Sequence, residues 1–292
     1  MLLRNLFGLA AAATTCFCAS LQQVTNFGDN PTKINMYIYV PDKLAAKPAV
    51  IVALHGCGGT ATQWFSGTKL PSYANSNGFI LVYPGTPNMS NCWDVNNAAS
   101  LTHGKGGDAQ GIVNMVNYTI TKYGADSARI YIMGTSSGAM MTNVLAGSYP
   151  DVFEAGAAYS GTAHACFAGS PSATPFGANQ TCAQGLQHTP QEWGNFVRNS
   201  YSGYTGRRPR MQIVHGLADT LVRPQCAAEA LKQWSNVLDV PFGRNVSGFP
   251  SAAYTQMVYG DGTKLLGFFG QGVGHTAPVN EQQLLKFFGI TS

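Results

Sequence analysis

One serine of this chain lies in a frame that can make it a nucleophile. Residues 133–141 read MGTSSGAMM, and Ser136 is the centre of their G-x-S-x-G pattern. The frame alone is weak evidence, because a chain with 34 glycines matches it easily by chance. Its surroundings are more specific: the buried-strand pattern RIYIM precedes it, and a helical pattern from Gly138 to about Ala146 follows. Since a strand, a sharp turn and a helix expose the serine hydroxyl, we predict a nucleophile at Ser136 rather than an ordinary Gly-Ser turn.

A serine hydroxyl needs a base and an orienting acid, which in this arrangement follow it in the order acid, then histidine. Asp219 comes after the strand pattern RMQIVHG, where a loop at the carboxyl edge of a sheet can carry a carboxylate. His275 lies in GQGVGHTAP, a glycine-rich loop before the last helical pattern. We predict that His275 is the base and Asp219 the acid. The alternatives, which better fit solvated turns or a structural role at a strand end, are Asp239, Asp261 and His215.

The oxyanion that forms during nucleophilic attack needs two N–H donors. One is the residue after the nucleophile, Ser137, which is also the rival nucleophile, although the frame centres on Ser136. The other is expected in AVIVALHGCGG, a strand pattern that runs into glycines, where the N–H of Cys57 can face the intermediate. We expect His55 to brace this loop.

The elements that must position these residues alternate between strand and helix. Short apolar runs closed by glycine or proline are typical of buried strands, whereas the apolar residues between Asp108 and Tyr123 recur at helical spacing. Strands separated by crossover helices predict an α/β fold with a mostly parallel central sheet flanked by helices. The strand patterns are INMYIYVP, AVIVALHG, FILVYPG, RIYIM, RMQIVHG and YTQMVYG, and the closing helix is EQQLLKFF.

Composition favours a single globular unit. Of the 292 residues, 45% are hydrophobic and 10% are charged, and the glycines are spread along the chain, which argues against disorder. The net charge of +4 is small, and the basic residues are scattered apart from Arg207, Arg208 and Arg210. Nucleic acid is therefore not expected as a partner.

The first residues have the layout of a secretory signal peptide. Arg4 precedes an apolar run over residues 6–13, and small residues and then a polar segment follow. We predict a signal peptide over residues 1–18 and one catalytic domain over residues 19–292, extracellular and without a membrane span, which would need roughly 18 apolar residues in a row. Four N-x-[ST] glycosylation sequons fit a secreted protein: Asn88, Asn117, Asn179 and Asn245.

Removal of such a leader leaves five cysteines, an odd number in an oxidising compartment. The sequence does not fix their pairing. We predict disulfides Cys57–Cys92, which would stiffen the oxyanion loop, and Cys166–Cys182, with Cys226 free or in a labile contact. No cysteine or histidine spacing indicates a zinc site, and neither a metal nor a cofactor is expected.

Several of these stretches together resemble a known family. The segments MYIYVP, LHGCGG, CWD, LTHGKGGD, GTSSGAMMTNVLAG, HGLADT and GVGHTAP look like those of fungal secreted esterases of the polyhydroxybutyrate-depolymerase-like type, carbohydrate esterase family 1. The resemblance covers nearly the whole chain after the leader. It implies an α/β-hydrolase fold, a triad of Ser136, Asp219 and His275, and hydrolysis of feruloyl or acetyl esters of xylan. We expect a monomer without the carbohydrate-binding module of some relatives.

Within that family the motifs resemble two groups of enzymes with different substrates. CWDV and the threonine after His275 resemble the acetylxylan esterases, whereas HGCGGTATQW, AHACFAG and QHTPQEW resemble the feruloyl esterases. The acetyl branch often has a bulkier residue in the oxyanion loop, so Gly56, Gly58 and Gly59 leave room for an aromatic acid. Feruloyl ester hydrolysis is favoured, with acetylxylan esterase, a lipase- or polyester-type esterase and a non-catalytic carbohydrate-binding homologue as alternatives.

Aromatic side chains near these motifs are candidates for contact with a sugar face or a ferulate ring. We predict Trp64, Trp93 and Tyr159 as pocket walls, the alternative for each being ordinary core.

Overall fold

The apolar runs become strands of one mixed sheet. The structure, a computed structural model, describes residues 19–174 and 180–292. Ten strands of these ranges lie in the order β1-β2-β4-β3-β5-β6-β7-β10-β9-β8. They are β1 (Leu21–Val24), β2 (Asn35–Tyr39), β3 (Val50–Leu54), β4 (Ile80–Gly85), β5 (Ile130–Thr135), β6 (Ala155–Tyr159), β7 (Arg210–Gly216), β8 (Phe242–Ser247), β9 (Tyr254–Tyr259) and β10 (Leu265–Gly270).

The central part of the sheet is parallel. Each neighbouring pair from β4 to β10 in the sheet runs in the same direction, while β1, β2, β9 and β8 pair antiparallel at the two edges. Strands β3, β5 and β6 are buried along their whole length. The carboxyl ends of parallel strands meet at one edge of a sheet, so the residues after β3, β5, β7 and β10 come together.

Helices cover both faces of the sheet. They are α1 (Ala61–Gly67), α2 (Leu70–Asn77), α3 (Gly107–Tyr123), α4 (Ser137–Ser148), α5 (Gln180–Ala183), α6 (Pro190–Ser200), α7 (Pro224–Leu238) and α8 (Glu281–Phe288). One apolar cluster packs α3, α4, α6 and α7 against the sheet. A second packs α1, α2 and α8 against the opposite face. No helix in the described ranges is long and apolar enough to cross a membrane.

Both predicted disulfides are present. Cys57 bonds Cys92, and Cys166 bonds Cys182. The thiol of Cys226 is buried and unoxidised, and it donates hydrogen bonds to the carbonyl oxygens of Cys182 (3.2 Å) and Ala183 (3.3 Å). Burial raises the pKa of this thiol to about 12, so it stays protonated.

Helix α4 packs closely on the end of β3 because its second residue, Gly138, has no side chain. A Cβ on Gly138 would lie 2.6 Å from the His55 carbonyl oxygen and closer still to that of Leu54. Real Cβ atoms do not approach backbone oxygen so closely, so a side chain there must push α4 away from the end of β3.

We therefore expect Gly138→Ala to destabilise the fold by about 1–3 kcal/mol or more, the range for overpacking a core. Gly67→Ala is the matched control, because a Cβ at Gly67 meets nothing within 4 Å, and we expect it to change stability by less than about 1 kcal/mol. Urea unfolding of both variants measures the difference. Equal stability of the two would contradict the close contact.

Candidate active site

The turn between β5 and α4 holds Ser136 in an unusual backbone conformation. Its φ is 55° and its ψ is −121°, a region that residues other than glycine rarely occupy. Its N–H donates a hydrogen bond to the Tyr159 carbonyl oxygen at the end of β6 (2.8 Å). This backbone conformation is the sharp strand-to-helix turn that the G-x-S-x-G frame predicts, and it places the serine side chain at the carboxyl edge of the sheet.

His275 joins Ser136 to Asp219. The His275 Nε2 lies 2.9 Å from the Ser136 Oγ, and its Nδ1 lies 2.7 Å from the Asp219 Oδ2. The two partners come from the loops after β5 and β7, and His275 from the loop after β10, so three separate stretches converge. The structure thus brings together all three predicted triad residues in one hydrogen-bonded line. When the His275 Nδ1–H donates to the Asp219 carboxylate, the His275 Nε2 is free to accept the proton of the Ser136 hydroxyl.

Several hydrogen bonds fix the position of the Asp219 carboxylate. Its carboxylate is fully buried, and its Oδ1 accepts hydrogen bonds from the N–H groups of Leu221 (3.0 Å) and Val222 (2.9 Å). Its Oδ2 also lies 3.4 Å from the His215 Nε2. Burial opposes ionisation, but the hydrogen bonds from His215, His275 and Val222 outweigh it and hold the pKa of Asp219 well below its ordinary value. The acid is therefore a permanent carboxylate.

His215 has the structural position expected of it. The ring is completely buried, and its Nε2 lies 2.8 Å from the Val222 carbonyl oxygen as well as close to Asp219. It therefore ties the Asp219 loop to the end of β7. The i, i+4 spacing of His215 and Asp219 in HGLAD is the sequence signal for this contact.

Two backbone N–H groups lie beside the serine hydroxyl with no internal partner. Cys57 and Ser137 line the same cavity as Ser136, and within the described residues neither N–H donates a hydrogen bond. The Cys57–Cys92 disulfide ties the first of these donors to the loop before Trp93. Both predicted oxyanion donors therefore line the cavity at Ser136.

The loop that carries Cys57 is held from behind by Trp93. The Trp93 indole N–H donates to the His55 carbonyl oxygen (2.9 Å), and its backbone N–H donates to the Ser137 Oγ (2.9 Å). His55 bonds the Gly56 carbonyl oxygen through Nδ1 (2.8 Å), and burial lowers the pKa of its imidazole. His55 therefore braces the loop as an uncharged side chain.

Two of the three predicted pocket walls are corrected by the structure. Trp93 and Tyr159 are buried, and neither is among the residues that line the cleft at Ser136. Trp93 is used instead to support the oxyanion loop, and the Tyr159 ring lies in a different cavity, described below. Trp64 does line the cleft, beside Ser136 and His275.

The cleft has two lobes that meet at Ser136. The first, which we call the slot, is apolar and is lined by Cys57, Ser136, Ser137, Met140, Phe167, Ala173, Gln180, Ala183, Leu221 and Val222. The second, the groove, is more open and is lined by His55, Gly56, Cys57, Gly59, Thr60, Gln63, Trp64, Thr135, Ser136, Leu221, His275 and Thr276. Leu221 borders both lobes and is 48% exposed. His275 faces only the groove.

The predicted glycosylation sites differ in their accessibility. Asn117 and Asn245 have exposed side chains, whereas Asn88 is half-buried. The Asn88 amide donates a hydrogen bond to the Asp108 Oδ2 (2.9 Å). Asn179 and the predicted signal peptide, residues 1–18, lie outside the described residues.

Sequence reasoning missed a carboxylate pair next to the oxyanion support. Asp94 follows Trp93, and its Oδ2 accepts the Asp108 N–H (3.1 Å), while the Asp108 Oδ2 accepts the Asp94 N–H (3.1 Å). Ser100 also donates to the Asp94 Oδ1 (2.5 Å). Burial and the charge of Asp108 raise the pKa of Asp94 to about 7, and burial raises that of Asp108. Asp94 therefore keeps its proton up to about neutral pH.

The fold, together with the hydrogen-bonded line of Ser136, His275 and Asp219, defines the chain as an α/β hydrolase of the serine type. A family model described as esterase PHB depolymerase matches residues 34–237. The chain is 76% identical to feruloyl esterase B of Neurospora crassa, over 99% of both chains, and 44% identical to acetylxylan esterase A of Aspergillus ficuum, over 99% of this chain and 96% of the relative. The acetyl xylan esterase structure from Aspergillus awamori superposes with a TM-score of 0.89 at 44% identity, covering 93% of this chain and 100% of that one. This chain belongs to the esterase PHB depolymerase family.

The Asp94–Asp108 pair predicts a pH-dependent stability. Because the folded state keeps a proton on Asp94 up to about pH 7 and the unfolded state loses it near the ordinary carboxyl value of about 4, the folded state binds more protons between these values. Stability should therefore fall as pH rises through this window. Asp94→Asn, which cannot ionise, should flatten this dependence and raise the Tm at pH 8 by a few degrees, on the order of 3–6 °C.

Thermal unfolding between pH 4 and pH 8 measures both effects. Asp42→Asn removes an exposed carboxylate and serves as the control. We expect it to show the same pH dependence of stability as the unmodified chain. An unchanged slope in Asp94→Asn would show that the pair does not hold the proton.

Proposed function

We propose that this protein is a secreted esterase that releases ferulate from xylan through a covalent acyl-enzyme. The observation that carries the proposal is the line of hydrogen bonds from Ser136 through His275 to Asp219, 2.9 and 2.7 Å long, beside two unpaired N–H donors. The relatives named feruloyl esterase B, at 76% and 71% identity, support the choice of acid.

Each of these residues has a role in the proposed ester hydrolysis. His275 Nε2 takes the proton as the Ser136 Oγ attacks the ester carbonyl, and Asp219 stabilises the imidazolium. The N–H groups of Cys57 and Ser137 bind the oxyanion. The collapse of this intermediate breaks the bond to the alcohol, which leaves with the proton from His275. Water then repeats the sequence on the acyl-enzyme and releases the acid.

The position of His275 orients the substrate. The leaving alcohol must lie beside the group that protonates it, and later water must reach the same imidazole. Because His275 faces the groove and not the slot, we assign the groove to the sugar and the slot to the acyl group. Trp64 in the groove offers an aromatic face to a sugar ring.

The lining of the slot favours an aromatic acid. Met140, Phe167 and Val222 form apolar walls of a narrow space next to Ser136. A planar aromatic ring gains more from such walls than an acetyl group, which has one methyl to bury. Acetylxylan esterase is the second candidate, supported by the relatives of that name at 44% identity and by the small size of the slot.

The cell compartment is part of the proposal. The signal-peptide pattern over residues 1–18 and the two disulfides support secretion, because disulfides persist in oxidising compartments. We also propose that the chain acts as a monomer, since all three residues of the triad and both N–H donors come from one copy.

Removal of the nucleophile tests the mechanism. Ser136→Ala should lower kcat for methyl ferulate by a factor on the order of 10⁶, since the triad acts as a unit. Ser72→Ala changes an exposed serine of α2 and should leave kcat unaltered. Near-normal turnover by Ser136→Ala would remove Ser136 from the reaction.

Filling the slot tests the assignment of the acyl side. Met140 lies one helical turn after Ser136 and lines only the slot, so Met140→Trp should lower kcat/KM for methyl ferulate by at least about tenfold, the scale of a lost or blocked apolar contact. Turnover of 4-nitrophenyl acetate should change much less, because an acetyl group needs little of the slot.

Gln63→Trp places the same bulk in the groove and is the matched control. It should impair an esterified xylo-oligosaccharide more than methyl ferulate, whose alcohol is small. The reverse pattern in the two variants would mean that acid and sugar occupy the opposite lobes. A higher kcat/KM for acetylated than for feruloylated xylo-oligosaccharide in the unmodified chain would favour the second candidate.

A further inference from the structure

A second cavity lies on the face of the sheet covered by α1, α2 and α8. Its volume is about 380 Å³, and it shares no lining residue with the slot or the groove. We call it the α8 cavity. Its walls come from the start of α2, the ends of β6 and β7, the start of β9 and the segment that enters α8. The side chains used below are Tyr73, Tyr159, Gln212, Tyr254 and Phe268.

A polar side chain in its wall is buried without full hydrogen bonding. Gln212 is 1% exposed and interrupts the apolar pattern of β7. Its Nε2 donates to the Tyr159 hydroxyl (3.3 Å), but its Oε1 has no partner among the described residues. The hydroxyl of Tyr254, also in the wall, is buried and equally unpartnered. Because a buried acceptor without a hydrogen bond destabilises the fold, such a group calls for a partner such as a ligand or water.

The buried polar groups of this cavity are neutral. Burial raises the pKa of both Tyr159 and Tyr254 above the ordinary phenol value, so both hydroxyls keep their protons. Lys69 and Glu281 are the two charged residues of the lining and have opposite signs, and the Glu281 carboxylate already accepts the backbone N–H of Lys69 (2.8 Å). The cavity wall therefore has no net charge, and its buried polar groups are an amide oxygen and two hydroxyls.

Four aromatic rings also line the cavity. They belong to Tyr73, Tyr159, Tyr254 and Phe268. A pyranose ring has apolar C–H faces that pack on aromatic rings and hydroxyls that donate to an amide oxygen. The volume falls within the range of roughly 300–1,000 Å³ that is usual for small-molecule sites. This combination fits a neutral sugar better than an acid or a cation.

The wall of the α8 cavity includes residues of the chain segment that follows His275. Pro278 and Asn280, in the segment after His275, are part of its wall, and the Ala277 N–H holds this segment by a hydrogen bond to the Ser160 Oγ (2.9 Å). The Tyr159 side chain lines the cavity, and the Tyr159 carbonyl oxygen accepts a hydrogen bond from the N–H of Ser136. A ligand in the cavity would therefore contact the segment that positions His275.

We propose that the α8 cavity is a second carbohydrate site that binds one or two unsubstituted pyranose units. Its assignment to xylan rests on the proposed function. In that role it binds a stretch of the polysaccharide that carries no ester, separately from the reacting unit in the groove.

The test uses the full chain with Ser136→Ala and xylobiose, which carries no ester, so that binding is measured apart from hydrolysis. Isothermal titration calorimetry should detect binding with a Kd on the order of 1 mM, equivalent to about −4 kcal/mol. Tyr254→Phe removes only the unpartnered hydroxyl and should weaken binding at least about fivefold, the effect of one lost hydrogen bond. Tyr118→Phe makes the same change on the opposite face of the sheet and should leave the Kd unaltered.

A variant of the groove separates the two sugar sites. Trp64→Ala removes the aromatic face of the groove, and in a chain that carries it together with Ser136→Ala, addition of Tyr254→Phe should still weaken xylobiose binding at least about fivefold. Loss of binding in Trp64→Ala but not in Tyr254→Phe would place the sugar in the groove and overturn the proposal. Absence of binding at xylobiose concentrations on the order of 10 mM would overturn it too. Failure of the esterase proposal is scored independently, as absence of methyl ferulate hydrolysis by the unmodified chain.

Discussion

The backbone contact between the start of α4 and the end of β3 is the constraint on which the site depends. The Ser136 hydroxyl and the Cys57 N–H belong to segments nearly 80 residues apart in the chain, yet both must reach one tetrahedral carbon. Gly138 packs directly on the Leu54 and His55 carbonyls, and a Cβ on Gly56 would lie 3.2 Å from the Ser136 Cβ. Any side chain at Gly138 would separate nucleophile and oxyanion donor before any chemistry could begin.

Behind this contact, buried hydrogen bonds fix groups that no substrate touches. Trp93 joins the two segments with the N–H donors: its indole N–H donates to the His55 carbonyl oxygen, and its backbone N–H donates to the Ser137 hydroxyl. Asp219 is held by the N–H groups of the loop that follows it, and by His215. These bonds lie in a low-dielectric interior, where they are stronger than in water. The orientation of the reacting groups is therefore established by folding and need not be created when substrate binds.

Much of this site could be predicted from the sequence, because the motifs report on local backbone. The triad and both N–H donors lie just after strands, in turns and loops that glycines mark. The same reasoning was wrong for Trp93 and Tyr159, because a nearby aromatic residue carries no information about which way its ring points. It also passed over β6, whose residues AGAAY are small and lack the β-branched pattern of a strand. Asp94 and Asp108 meet only through the tertiary fold, and no spacing rule links a loop carboxylate to a helix start.

The slot and the groove are built from different parts of the chain, which lets the acid and the alcohol be selected separately. Phe167 and Ala183 of the slot each adjoin a cysteine of the Cys166–Cys182 disulfide, in the long connection between β6 and α6. That connection contributes no residue to the triad. The acetyl xylan esterase from Aspergillus awamori has this fold at 44% identity and a TM-score of 0.89. With the slot assigned to the acyl group as we propose, a change of acid requires new side chains on a disulfide-held wall, while the elements that carry Ser136 and His275 stay as they are.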